Sequence, residues 1–180
     1  MLLSHNQIVT LLNEGVVQKA FTEAVNAASL DIHLGGKILV ERYNESGVPV
    51  DYRKREKLDM KEIELDPERG YTLRPGEFIL AQSVEVFYLP NDVSCEYKLK
   101  SSMARIGLEH LNAGWCDAGW NGSVLTLELK NISQFHNIRI RPGDSIGQMV
   151  FFEHEPVSDN ASYASRGRYN GDMTVMGIKE

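Results

Sequence analysis

The chain has 180 residues, 42% of them hydrophobic and 24% charged, with a formal net charge of −6 and two cysteines. That length suits one domain with a real core, and the acidic balance argues against bulk attraction to nucleic acid. Cys95 and Cys116 give neither a disulfide framework nor a paired zinc motif, and no stretch approaches the roughly 18 continuous apolar residues of a membrane span.

The opening residues, MLLSHNQIVTLLNEG, lack the basic flank and long apolar run of a secretory signal, so a reducing, cytoplasmic setting is expected. Leu3, Ile8, Leu11 and Leu12 have helical spacing, with Ser4 as a cap and Gly15 as a stop. VVQKAFTEAVNAA suggests another turn or two of helix, which makes residues 1–28 an N-terminal helical segment. SLDIHLGGKILVERY alternates like a strand broken at Gly35 and Gly36. Residues 41–70 are dense in charge and read as an exposed excursion with little structure.

From Tyr71 onward the chain is a series of short strands set off by turn signals: RPGE at 74–77, LPND at 89–92, DAGWNG at 117–122 and RPGD at 141–144. LRPGEFI and IRPGDSI resemble each other, each a tight turn leading into a strand. Strands without interleaved helices predict a mainly β, antiparallel barrel or sandwich. The polar tail over 158–180 reads as a mobile arm. One domain spans residues 1–180.

Three stretches carry candidate chemistry. In VLTLELKN, taken as a strand, Leu125, Leu127 and Leu129 share the core face, and Val124, Thr126 and Glu128 share the other. Glu128 is then either a solubilising residue or a base. In SSMARIGL, Ser101 and Ser102 open a short helical turn after Lys100, and Arg105 lies one turn on. Such a turn is either a plain cap or a cradle for phosphate. AGWCDAGWNG combines three glycines, two tryptophans and Asp117, which suits a β-turn or the wall of a sugar-binding pocket.

In order, K-S-S-x-A-R-x-G-L, N-A-G-W-x-D-x-G-W-x-G, L-T-L-E-L and P-G-D-x-I-G-Q resemble the dCTP deaminase family, within the trimeric dUTPase-like β-barrel superfamily. SLDIHLGGK, LRPGEFILAQSVEVFYLPNDV and the arm SYASRGRYNGD are similar to further family segments. Glu128 separates the two branches of that superfamily, because dUTPases typically carry an apolar residue there. Asn112, Cys116, Ala118 and Asp172 depart from the family's common threonine, aliphatic residue, proline and glutamine.

The resemblance implies a distorted barrel of jelly-roll character with short peripheral helices, assembled as a homotrimer with active sites at subunit boundaries. It implies hydrolysis of dCTP to dUTP and ammonia, with Glu128 as general base and Ser101 and Arg105 positioning water and stabilising the intermediate. The backbone near Leu111, Asn112 and Ala113 would read the base. Asp117 would meet the 3′-hydroxyl, and Trp120 would pack under the deoxyribose. Lys100, Ser101, Ser102 and Gln148 would hold phosphates, with Tyr163, Arg168 and Tyr169 closing from the arm. Mg²⁺ would arrive with the triphosphate, and dTTP comes into view as an inhibitor. Zinc is not expected, since the chain has neither H-x-E nor P-C-x-x-C. Two alternatives stay open: a bifunctional enzyme that continues to dUMP and pyrophosphate, using Asp117, and a non-catalytic nucleotide-sensing barrel.

Overall fold

The computed structural model describes residues 1–179. The chain opens with α1 (His5–Asn13), where the Gln7 side-chain carbonyl accepts from the Ser4 N–H at 3.1 Å and from the Ser4 hydroxyl at 3.0 Å. Leu3, Ile8 and Leu11 turn into the core, and Gly15 follows with φ +76°. The stretch after it is not a second α-helix. It forms β1 (Val17–Gln18) and a single 3₁₀ turn at Thr22–Ala24.

β2 (Leu30–Glu41) runs through both predicted glycines without ending. Residues 30–33 pair with β11 (Ser145–Glu153), and residues 34–40 pair, across a register shift, with β5 (Phe78–Tyr88). Gly35 lies at that shift. A Cβ there would stand 2.8 Å from Gln82 Cγ and about 3 Å from the Gln82 and Ser83 carbonyls, so the crossing needs a residue without a side chain. The charge-dense excursion is exposed over most of 41–59 but not featureless: β3 (Met60–Glu64) pairs along residues 37–41 of β2. Its outer residues are Lys61, Glu62 and Glu64, which gave an edge strand the look of a solvated loop.

β4 (Tyr71–Leu73) pairs with β10 (Ile138–Ile140), and each then passes through its Arg-Pro-Gly-acid turn into a long strand, β5 or β11. The turns match in detail. Glu77 accepts from the Arg74 N–H at 2.7 Å, and Asp144 from the Arg141 N–H at 2.8 Å. The remaining strands and α-helices are β6 (Val93–Leu99), α2 (Ser101–Arg105), β7 (Leu108–Glu109), β8 (Trp115–Cys116), β9 (Asn121–Asn131) and α3 (Tyr163–Arg166). The main sheet runs β7-β9-β5-β2-β11-β6-β8, antiparallel throughout, with β1 added on β5 and β3 on β2. The long strands enclose a core that includes Ile32, Ile38, Phe87, Leu127, Met149 and Phe151. This is the mainly β, curled antiparallel fold expected. Among the described residues no helix is long and apolar enough to cross a membrane.

Candidate active site

β9 alternates as its sequence requires. Leu125, Leu127 and Leu129 enter the core, while Val124, Thr126 and Glu128 line a cavity of about 340 Å³ on the opposite face. Glu128 pairs with Leu80 of β5, which also lines this cavity. Burial there pushes the Glu128 carboxyl up from 4.5 to about 7, only partly offset by a backbone hydrogen bond. A carboxyl poised near neutral pH can take a proton and return it.

The β8–β9 turn brings Asp117 and Trp120 to the same cavity. Trp120 is buried against Phe87, ring centroids 5.2 Å apart, and its indole N–H donates to the Tyr169 carbonyl at 2.8 Å. Ala113 lines the wall, but Leu111 and Asn112 do not. Those two hold φ of +56° and +55°, an uncommon conformation for non-glycine residues, in the loop that carries Ala113.

The arm is laid back along β9. Its Asp172 carbonyl accepts from Val124 N–H at 2.8 Å, the Gln82 side chain accepts from Val175 N–H at 2.9 Å, and Val175 is buried. Gly119, at φ +85°, makes room for this return, since a Cβ there would collide with the Ser162 hydroxyl. Tyr163 and Tyr169 reach the cavity with Asp172, Met176, Gly177 and Ile178. Arg168 does not line it; its carbonyl accepts from Lys179 Nζ at 2.8 Å.

The other predicted residues lie elsewhere on the protomer. Lys100 Nζ donates to Asp31 at 2.5 Å and to the Ser145 hydroxyl at 3.0 Å, and Gln148 Nε2 reaches Asp31 at 3.4 Å. Burial raises the Asp31 carboxyl, but Lys100, Asn26 and Ser145 outweigh it and hold it below its ordinary value. Asp31 is a polar hub that the sequence reading quoted within SLDIHLGGK without assigning it a role. Ser101, Ser102 and Arg105 are exposed on and beside α2. Arg105 borders a shallow hollow with Ile132, His136 and Arg139, and none of the three α2 residues lines the Glu128 cavity. Within one protomer Arg105 and Glu128 therefore border different hollows. Among the described residues, no three His, Cys, Asp or Glu side chains gather as a metal site.

The sequence reading counts Trp115 among the two tryptophans of AGWCDAGWNG but gives it no role of its own. It is 58% exposed, lines the Glu128 cavity and donates its indole N–H to Asp117 Oδ1 at 2.8 Å.

A family model described as dCTP deaminase-like matches residues 2–154. The chain is 34% identical over 181 residues to a protein of Beutenbergia cavernae named dCTP deaminase, dUMP-forming, covering 95% of this chain and 90% of that one. Proteins of the same name from a Sulfurihydrogenibium species and from Methanosphaerula palustris are 32% and 31% identical, again over 95% of this chain. The crystal structure of a 2′-deoxycytidine 5′-triphosphate deaminase from Agrobacterium tumefaciens superposes with a TM-score of 0.66 at 25% identity, over 83% of this chain and 47% of that one, so this chain spans about half its length. A family match over most of the residues, joined by relatives above 30% identity along nearly the full length, shows that the chain belongs to the dCTP deaminase-like family.

Proposed function

We propose that the protein hydrolyses dCTP at C4 and carries the product on to dUMP and pyrophosphate. The observation that carries this reading is that Glu128 and Asp117 line one cavity. The relatives named dUMP-forming favour the two-step outcome over release of dUTP.

In the first step Glu128 takes a proton from water as its oxygen bonds to C4 of cytosine. That proton passes to N3; the new C4 hydroxyl then gives up its own proton, by way of Glu128, to the amino group, which leaves as ammonia as the C4 carbonyl forms. A side chain held near pKa 7 by burial suits both halves of that transfer. In the second step water attacks the α-phosphorus and pyrophosphate departs with the bridging oxygen, with Asp117 beside the sugar. Magnesium enters as part of the triphosphate substrate and offsets phosphate charge. Trp120, buried behind Asp117, limits space at the sugar and favours deoxyribose.

The site is completed between subunits of a homotrimer. Ser101 and Arg105, proposed to steady the water and the intermediate, stand apart from Glu128 within one chain. Ile106 and Ile132 leave apolar surface exposed beside Arg105, and Phe135, three residues beyond Ile132, is 84% exposed. A neighbouring copy that covers this surface would bring α2 toward its own Glu128 cavity. Lys100 and Gln148, held by Asp31, would meet the phosphates from the same side.

The test is product analysis. Incubation with Mg·dCTP, followed by ion-exchange separation, is expected to yield ammonia, dUMP and pyrophosphate in equal amounts. Accumulation of dUTP without dUMP would reduce the activity to deamination alone, and absence of ammonia would overturn the reading.

A further inference from the structure

Trp115 opens β8 with its ring largely in solvent, an uneconomical place for the largest apolar side chain unless it is used. Asp117 directly follows β8, and the two side chains meet at the start of the turn. The indole N–H donates to Asp117 Oδ1 at 2.8 Å, and the ring leans on Phe152 with centroids 6.0 Å apart. Indole nitrogen is a donor only, so this contact cannot reverse. It fixes the carboxylate rotamer and occupies one oxygen. Oδ2 is left to accept from a donor in the cavity.

We propose that Trp115 is a positioning residue that holds Asp117 with Oδ2 presented to the 3′-hydroxyl of the bound deoxyribose. This inference rests on the nucleotide reading above. It adds a residue that acts through Asp117, not on substrate directly. A side chain that merely walls the cavity or packs on Phe152 would make the same van der Waals contacts but would not depend on the carboxylate.

A double-mutant cycle separates the two roles. Trp115→Phe keeps a ring against Phe152 and removes the N–H. Asp117→Ala removes the acceptor. Affinity for α,β-imido-dUTP with Mg²⁺, measured by calorimetry, does not require turnover. Trp115→Phe is expected to weaken binding about tenfold in the otherwise unaltered protein, the scale of a lost hydrogen bond to a charged group. In the Asp117→Ala background the same change is expected to cost less than about twofold, because the group it positions is gone. Equal losses in both backgrounds would overturn the positioning role and leave Trp115 as a wall. If the unaltered protein fails to bind the analogue, the nucleotide reading falls and this inference falls with it.

Discussion

Within one protomer Glu128 and Arg105 border different hollows, so two chains defective at different positions should repair each other. Glu128→Gln would remove the proposed base and Arg105→Ala the proposed positioning cation, and each homotrimer alone should be nearly inactive. When the two are unfolded together and refolded at equal concentration, a site formed across a boundary needs Glu128 from one chain and Arg105 from its neighbour. Random assembly places an Arg105→Ala chain on the first side with probability one half and a Glu128→Gln chain on the second with probability one half. The mixture should therefore recover about 25% of wild-type deamination per site. Ammonia release from dCTP reads this directly, with light scattering to establish a trimer of about 61 kDa, three times the 20.3 kDa chain. Mixing wild type with the double variant supplies a control: a shared site again predicts about one quarter of full activity, a site within one chain about one half. Recovery no greater than the sum of the two residual rates, from well-formed trimers, would refute the shared site.

Glu128→Gln by itself is expected to lower deamination by about 10²–10⁴-fold while dCTP affinity changes little, as read by turnover and calorimetry on the folded oligomer. The same substitution should alter stability with pH. The folded-state pKa of Glu128 is raised, so between pH 4.5 and about 7 the native chain binds more proton than the unfolded one, and stability falls as pH rises through that window. Chemical denaturation at pH 5 and pH 8 should show the Gln variant gaining on wild type at the higher pH, by at most about 3 kcal/mol.

The parts of the fold and site legible in the sequence are those governed by neighbours along the chain. The Ser4 start and Gly15 stop of α1, the alternating faces of β9 and the paired Arg-Pro-Gly-acid turns are local, and the sequence reading places each of them. The grouping of Glu128, Asp117 and Trp120 was also within reach, because strand alternation and one glycine turn bring them together. What escaped depends on distant partners. β3 looks solvated because an edge strand buries little, and only pairing with β2 defines it. Asp31 gains its character from Lys100 and Gln148, 69 and 117 residues away. Val175 looks like tail composition until Gln82 takes its N–H.

In the lone protomer, burial among Leu80, Val124 and Met176 holds Glu128 near pKa 7, and a backbone hydrogen bond only partly draws it back. Such a group holds its proton more tightly than an ordinary glutamate. Arg105 brought across a subunit boundary would favour the ionised form and lower that pKa. Assembly would then do more than enclose the cavity: it would shift Glu128 from a shared-proton state toward the base needed for attack on C4. Burial would then favour return of the proton, and the neighbour's guanidinium its removal. On the proposed reading, a cavity that contains Glu128 and Asp117 but not Arg105 would bind nucleotide in one chain and become an active site only in the assembly.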